Sequence, residues 1–373
     1  MPHHDVVIVG AGPVGLMLAC LLAQREVDVV VCERRPDADT RSRAIGIHRP
    51  GLDALDAAGI GAAVRGEALA LEGGEVRSRG RMLAELDFAP ERPVLVLPQR
   101  RTDDLLRHRL GVLARGALRQ GHVVRSVRDE EEFVRVAVDA GHGLREITGS
   151  FAVIADGVHS GIREQLGIDW REHPGAGRYS MIDVPDDAGR ARAVLHCEPA
   201  GLVESFPMPG ARRRWVVRHD GARPLDTATA LRSEIERRTG IRPAIPDDLV
   251  PVVFDVTQHA AAAFADGRIV LLGDAAHEVS PIGGQGMNLG WADAVRLAAG
   301  IIRGLERGQP DFRSYARRSA RAARRAQRRA AFYMSMGATA AGAPLVMREQ
   351  VIRVLGSRPL RGCASGLITM RGV

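Results

Sequence analysis

The sequence contains no lysine: all 52 of its basic residues are arginine, and against 45 acidic residues they leave a formal net charge of +7. With arginine and alanine both abundant, this bias reflects GC-rich coding as much as selection for anionic partners. Aromatic residues make up only 4% of the chain and the arginines are scattered along it, so the basic patch and stacking platform that mark a nucleic-acid binder are both missing. Cysteine is scarce as well. Cys20, Cys32, Cys197 and Cys363 show no C-x-x-C spacing, which argues against a metal site or a disulfide framework and fits small buried hydrophobes in a reducing compartment. There is no unbroken membrane span either. Residues 6–23 are apolar, but Gly10, Gly12, Pro13 and Gly15 interrupt them and no basic segment precedes them, so strand, turn and helix is the better reading and a cytoplasmic protein is expected.

What is present is a chain of 373 residues with 45% hydrophobic and 26% charged content, long enough for two domains. Residues 5–9 are β-rich and lead into Gly10-Ala11-Gly12-Pro13-Val14-Gly15; residues 16–23 continue as helix, and residues 27–32 form a second strand that ends at Glu33. This is strand, G-x-G-x-x-G, helix, strand and acid, the fingerprint of a dinucleotide site. The glycines permit the tight turn, the close approach of a pyrophosphate and helix–strand packing, while Glu33 is placed for a ribose. Pro13 suits an early helix position, where its missing N–H costs nothing. The fingerprint alone does not distinguish FAD from NAD.

A second constellation spans residues 268–294. An apolar run at 269–272 reads as one buried strand, Asp274 follows its end, and a loop with Gly283, Gly284 and Gly286 leads to a helix expected from Leu289. An acid at a strand's C-terminal end and a helix start with unpaired N–H groups can hold a polyol and an anion together. The strand at 151–155, closed by Asp156-Gly157 and followed by His159, Ser160 and Arg163, repeats that logic. Between these stretches, Arg41-Ser42-Arg43-Ala44 falls where diphosphate oxygens need cationic partners. A short helix at 52–60 closes at Gly59, residues 73–88 read as a hairpin, and residues 94–97 as a strand. Thr102 is expected to cap a helix running to about Leu118, and Gln99 just before it either donates to a ligand or satisfies loop backbone. Strands at 122–127 and 133–138 follow. From 177 to 257 the pattern changes to alternating strands and Pro/Gly turns, with one charged helix near 227–239. A helix at 315–334 carries Arg317, Arg318, Arg321, Arg324, Arg325, Arg328 and Arg329 on one face, read as a solvated surface or a dock for an acidic partner.

Taken in this order and spacing, G-A-G-P-V-G with Glu33, A-D-G-V-H-S-G-I-R and G-D-A-A-H-E-V-S-P-I-G-G-Q-G-M-N resemble the class A flavoprotein monooxygenases, the para-hydroxybenzoate hydroxylase-like family, over roughly residues 4–330. The resemblance implies non-covalent FAD, with NADPH or NADH as co-substrate. It implies that Gly10, Gly12 and Gly15 hold the diphosphate and Glu33 the adenosine ribose, with Arg43 and Gln99 steadying the diphosphate and ribityl region. Asp156 is tied to both nucleotides, Asp274 to the ribityl chain, and the backbone N–H groups of Met287 and Asn288 to the flavin's pyrimidine edge. Pro13, Val14, Arg34, Val124, Pro281 and Gly286 complete the implied set of cofactor contacts.

The implied fold is α/β with an α+β second layer: a Rossmann-like FAD-binding domain of residues 1–73, 93–176 and 258–330, an inserted sheet domain for substrate at 74–92 and 177–257, and C-terminal helices at 331–373. The implied reaction is hydroxylation of an aromatic or polyketide-like small molecule with NAD(P)H and O2 through a flavin hydroperoxide; the alternatives are a flavin-dependent reductase or oxidase on the same fold, and a non-catalytic FAD-binding partner subunit. No catalytic base and no metal ligand are assigned. His196, His219, Tyr179 and Glu204 are titratable groups of the sheet segment, but each reads as structural, as does a hydrogen-bonded His277. Three departures stand out: Ser280-Pro281 where the family often has two prolines, Ile154 where it often has glycine before the D-G pair, and a chain that stops short of the thioredoxin-like C-terminal domain some polyketide hydroxylases carry.

Overall fold

The computed structural model describes residues 3–37, 44–89, 91, 93–141, 143–186, 189–221, 223–358 and 370. Its central layer is a sheet in which His3–Val9 lies between Val29–Glu33 and Leu144–Ile154, all parallel. Leu118–Gln120 adds beyond Val29–Glu33, and Ile269–Leu271 adds beyond Leu144–Ile154, again parallel. Val6, Val7, Ile8, Val153 and Val270 are wholly buried because helices cover both faces, which is why these strands read as continuous apolar runs rather than alternating ones. Leu144–Ile154 is longer than the apolar run suggests. Its first half pairs antiparallel with Val134–Asp139, and only its last residues take Ile269–Leu271 on that edge.

Helices Pro13–Ala23 and Gly286–Arg307 pack against each other, and the contact is close because Gly290 has no side chain: a Cβ there would come within 2.6 Å of Val14. Trp291 Nε1 donates to the carbonyl of Pro13 at 3.1 Å, so the two helix N-termini are held side by side. The Gly286–Arg307 helix begins three residues before the expected Leu289. The glycines at 283 and 284 take φ of +89° and +66° and complete the turn, leaving Gly286 free to start the helix. Thr102 is not an N-cap. The helix is Gln99–Leu113, capped by Pro98, and the Thr102 hydroxyl donates back to the Gln99 carbonyl at 2.7 Å from inside the first turn. That helix also ends before Leu118, which belongs to a strand. The short helix Arg49–Ala57 is followed by another, Gly61–Glu67, which the sequence pattern did not separate from it.

A second sheet of seven strands runs Val252–Val256, Gly177–Pro185, Arg212–Arg218, Gly201–Met208, Arg192–Glu198, Gly73–Ser78 and Arg81–Asp87. All neighbours are antiparallel except Arg192–Glu198 with Gly73–Ser78, where distant parts of the chain meet in parallel. Period-2 alternation splits its residues cleanly. Val203, Trp215 and Val217 face the helix Ala228–Thr239 and pack on its Leu231 and Ile235, while Met181, Leu202 and Val216 form the opposite face. Thr227 caps that helix, its hydroxyl accepting from the Ala230 N–H at 3.2 Å. Helix Arg313–Met336 buries Ala322, Ala323, Ala326 and Ala330 and turns Arg317, Arg318, Arg321, Arg324, Arg325 and Arg328 outward, with Arg329 half-buried. The helix Gly342–Gly356 lies on Arg81–Asp87, and its Ile352 joins the cluster on the cavity side of the second sheet. Among the described residues no helix is long and apolar enough to cross a membrane.

Candidate functional site

A single cavity of about 960 Å³ extends from the Gly10–Gly12 turn to the inner face of the second sheet. At its near end Gly10 has φ +104° and donates its N–H to the Cys32 carbonyl at 2.8 Å. A Cβ on Gly10 would sit 2.4 Å from the Ala155 carbonyl oxygen, and one on Gly15 would sit 2.1 Å from the Gly10 carbonyl oxygen, so both glycines are demanded by packing between the turn and its neighbours. Gly12 differs. A Cβ there would meet nothing within 4 Å, and Gly12 lines the cavity as the N-cap of the first helix. No side chain caps that helix and no acid stands in its first turn, which leaves its N–H groups and partial positive charge directed outward. Glu33 is buried, with one carboxylate oxygen accepting from the Ala11 N–H at 2.8 Å and the other from Arg35 N–H at 2.9 Å. Arg34 and Val124 line the same end.

Asp156 lies across the turn from Gly10. Burial pushes its carboxyl above the ordinary range, against hydrogen bonds from Ser160 and nearby backbone, and its Oδ1 is buried without a partner. Arg163, in the short helix Gly161–Gln165 that Ser160 caps, reaches the carbonyls of Ala275 at 3.1 Å and Val158 at 3.0 Å with its guanidinium 3.7 Å from the Trp170 ring centre. It therefore ties the Asp156 turn to the Asp274 turn. Asp274 itself sits in a 3-10 turn, Gly273–Ala275, on the cavity wall.

The loop that follows is held from behind. Asn288 is fully buried; its Oδ1 accepts from the His48 N–H at 2.9 Å, and its Nδ2 donates to the carbonyls of Gly46 at 3.0 Å and Gly284 at 2.8 Å. His48, which sequence reading passed over, lies against Gly283 and Gly284 and is held neutral, burial taking its imidazole down to about 4 despite a hydrogen bond with Gly283 backbone. The Ser280 departure has a structural reason. Its N–H donates to Gln258 Oε1 and its Oγ accepts from Ile282 N–H, both at 3.2 Å; a proline there would lack both. Pro281, Gly286 and Met287 line the cavity, as does Gln99, whose side chain forms no bond to the loop backbone among the described residues.

A family described as an FAD binding domain matches residues 3–330. The chain belongs to that FAD-binding family. Among its relatives, the 12-dehydrotetracycline 5-monooxygenase/anhydrotetracycline 6-monooxygenase of Streptomyces rimosus is 35% identical over 320 residues, 79% of this chain but 62% of that protein, so the chain spans less than two thirds of that relative. The ubiquinone hydroxylase UbiL of Rhodospirillum rubrum is 33% identical, with 82% of this chain and 75% of that one covered. The crystal structure of p-nitrophenol 4-monooxygenase PnpA from Pseudomonas putida superposes at a TM-score of 0.88 with each chain covered in full; at 22% identity it speaks for the fold. The anhydrotetracycline hydroxylase OxyS of Streptomyces rimosus gives 0.79 at 30% identity, covering all of this chain and 76% of its own.

The residues present fit FAD. The Gly12 cradle is open on the side a diphosphate needs, the orphaned Asp156 Oδ1 calls for a donor, and two uncapped helix starts converge on one cavity. Of the residues expected at the cofactor, the structure brings Gly10, Gly12, Pro13, Val14, Glu33, Arg34, Gln99, Val124, Asp156, Asp274, Pro281, Gly286 and Met287 onto that cavity's wall. Gly15 and the Asn288 side chain stand behind it, and Arg43 lies outside the described residues. At the far end, the four titratable groups of the second sheet separate. His196 is buried off the cavity and taken down to about 4; His219 shares a 2.8 Å hydrogen bond with Ser180; Tyr179 is buried behind the wall and pushed up to about 12. Glu204 alone of the four lines the cavity. His277 is structural, its Nε2 2.7 Å from Asp293 Oδ2.

Proposed function

We propose that the protein is an FAD-dependent monooxygenase of the cytoplasm that uses NAD(P)H and O2 to hydroxylate an aromatic or polyketide-like small molecule. The observation that carries this reading is the continuity of the cavity: one end has the open glycine cradle, Asp156 and Asp274, and the other is walled by Met181, Leu195, Leu202, Phe206 and Val216 of the second sheet. A nucleotide-binding protein without a substrate to oxidise has no need of an apolar chamber opening onto its cofactor. Hydroxylation of ring compounds in named relatives, the tetracycline monooxygenases among them, points the same way.

In this reading the FAD-binding part comprises residues 1–73, 93–176 and 258–330, and the strands at 74–92 and 177–257 receive the substrate. Bound FAD supplies the redox chemistry, taking up hydride from the nicotinamide and activating O2 for transfer of one oxygen atom. The chain's own residues bind and exclude. The first turn of the Pro13–Ala23 helix and Gly12 would receive the diphosphate, Glu33 the adenosine ribose, and Asp274 the ribityl hydroxyls. Arg43 and Gln99 would steady the region between them. The N–H groups of Met287 and Asn288 open the Gly286–Arg307 helix, so negative charge on the pyrimidine edge would meet the helix's positive end. The second sheet and the Gly342–Gly356 helix cover the chamber and keep water from the reacting edge. The test is consumption of NAD(P)H stimulated by an aromatic ligand, with incorporation of oxygen from labelled O2 into product; consumption without incorporation would identify a reductase or oxidase instead.

A further inference from the structure

The substrate end of the cavity is almost wholly apolar, and its exceptions are informative. The second sheet contributes two acids to the wall. Glu75 is held by Arg77, whose Nη2 lies 2.8 Å from it. Among the described residues, Glu204 is held by no hydrogen bond and no ion pair. It sits in the middle of Gly201–Met208, opposite Leu195 on one side and Val216 on the other, with Leu202 and Phe206 before and after it on the same face, and all four neighbours line the cavity. It is 3% exposed, and burial alone pushes its carboxyl up to about 8, with no cation or hydrogen bond opposing the shift. The ionisable groups that feel it are Tyr179 and Cys197, both pushed up to about 12 and so uncharged themselves. The arginine that the second sheet places on the wall, Arg214, is already engaged through Nε and Nη2 by both carboxylate oxygens of Asp183, at 2.6 and 2.8 Å.

A buried carboxyl without a partner is costly unless something completes it. In a closed core evolution replaces such a group with leucine; on the wall of a ligand chamber the ligand can complete it. We propose that Glu204 is the polar anchor of the substrate, its carboxyl group hydrogen-bonding a hydroxyl of an uncharged fused-ring phenol or enol while Leu195, Leu202, Phe206 and Val216 take the ring faces. The class is uncharged because, among the described residues, the one arginine that the second sheet places on the wall, Arg214, is already bound to Asp183, and Glu75 and Glu204 beside it are acids. A protonated carboxyl both donates to and accepts from a hydroxyl, and an ionised one accepts from it, so the contact survives on either side of the group's titration. This assignment rests on the hydroxylase reading for the identity of the chamber, but the contact itself is read by binding rather than turnover.

The test uses FAD-loaded protein and three probes: 2-naphthol, its methyl ether 2-methoxynaphthalene, and 3-hydroxy-2-naphthoate, titrated by perturbation of the flavin absorbance. Wild-type protein is expected to bind 2-naphthol about tenfold more tightly than the ether, the worth of one such hydrogen bond, and more tightly than the naphthoate. In Glu204→Leu the two neutral probes should bind equally. In Glu204→Gln, which keeps the shape, the preference should persist in part but no longer vary with pH, whereas in wild type the preference should grow between about pH 6.5 and 8.5 as the carboxylate forms; Tyr179 and Cys197, both pushed up to about 12, do not titrate in that window. A preference undiminished in Glu204→Leu, tighter binding of the naphthoate, a pH response unchanged in Glu204→Gln, or no binding of 2-naphthol to wild type overturns the assignment. Should Glu204→Leu fail to fold, the Glu204→Gln pH comparison decides. Absence of labelled oxygen in product, with the naphthol preference intact and dependent on Glu204, would sink the hydroxylase reading and leave the anchor standing.

Discussion

His277 Nε2 donates to Asp293 Oδ2 at 2.7 Å, with both side chains buried, and joins the strand end after Asp274 to the middle of the Gly286–Arg307 helix. The other oxygen of Asp293 accepts from Ser319 and Arg296, each at 2.6 Å, so one carboxylate ties together the segment after Asp274 and the helices Gly286–Arg307 and Arg313–Met336. Replacing Asp293 with alanine leaves the buried His277 and Ser319 donors without their acceptor, as well as the half-buried Arg296, and should cost about 3–5 kcal/mol. Thermal unfolding of the FAD-free protein measures this, and a change under about 1 kcal/mol would show that the cluster is not the tie described.

Gly10 and Gly12 should respond in opposite ways to the same methyl group. Gly10→Ala meets both a positive φ and the Ala155 carbonyl, so it should destabilise the fold itself by more than about 2 kcal/mol. Gly12→Ala has open space and should barely move the melting temperature, while its methyl projects where the diphosphate would lie and weakens FAD binding by about tenfold or more. Flavin retention after gel filtration and melting curves of the apoprotein separate the two effects.

Asn288 should matter through its side chain as well as its backbone. Asn288→Ala removes three hydrogen bonds that hold the His48 and Gly284 segments, leaves buried backbone groups unpaired, and should cost about 2–3 kcal/mol together with faster loss of FAD. Normal stability with normal FAD retention would be the contrary result.

Stability should be limited from both sides of neutral pH. Glu204 has a folded value near 8 against 4.5 for the free side chain, so the unfolded chain releases its proton first and stability falls as pH rises from about 4.5 through 8. His48 and His196 go the other way. Their folded values near 4 lie below the usual 6.5, so the unfolded chain takes up protons first and stability falls as pH drops from 6.5 through 4. Glu204→Gln should remove a few kcal/mol of stability loss between about pH 4.5 and 8, so that stability no longer falls above 6.5 and falls more steeply between 6.5 and 4.5, as read from urea unfolding across that range.

The glycine turns and the acids Glu33, Asp156 and Asp274 were legible in the sequence because they follow from local rules. A tight turn after an apolar strand needs glycine, and a ligand at a strand's end needs an acid there. These determinants lie within a few residues of one another, so spacing alone carries them. The limits of that reading are equally physical. Thr102 looks like a cap by residue type, but the chain direction set by Pro98 starts the helix earlier. His48 and Asn288 are 240 positions apart and meet only through packing.

Glu204 and His196 show where the boundary falls. By type and context both were buried titratable groups in apolar strands, and nothing nearby in sequence separates them. The second sheet does: alternation turns Glu204 to the cavity, and the parallel pairing of Arg192–Glu198 with Gly73–Ser78 completes the wall around it. The sequence by itself determined that this chain has a dinucleotide-type site, since that site is built from short turns at strand ends, and the order of its three motifs carried the resemblance that implied FAD. Which side chains face the chamber was decided only by tertiary structure, because a strand offers two faces and only its partners determine which of them is the inside of a chamber.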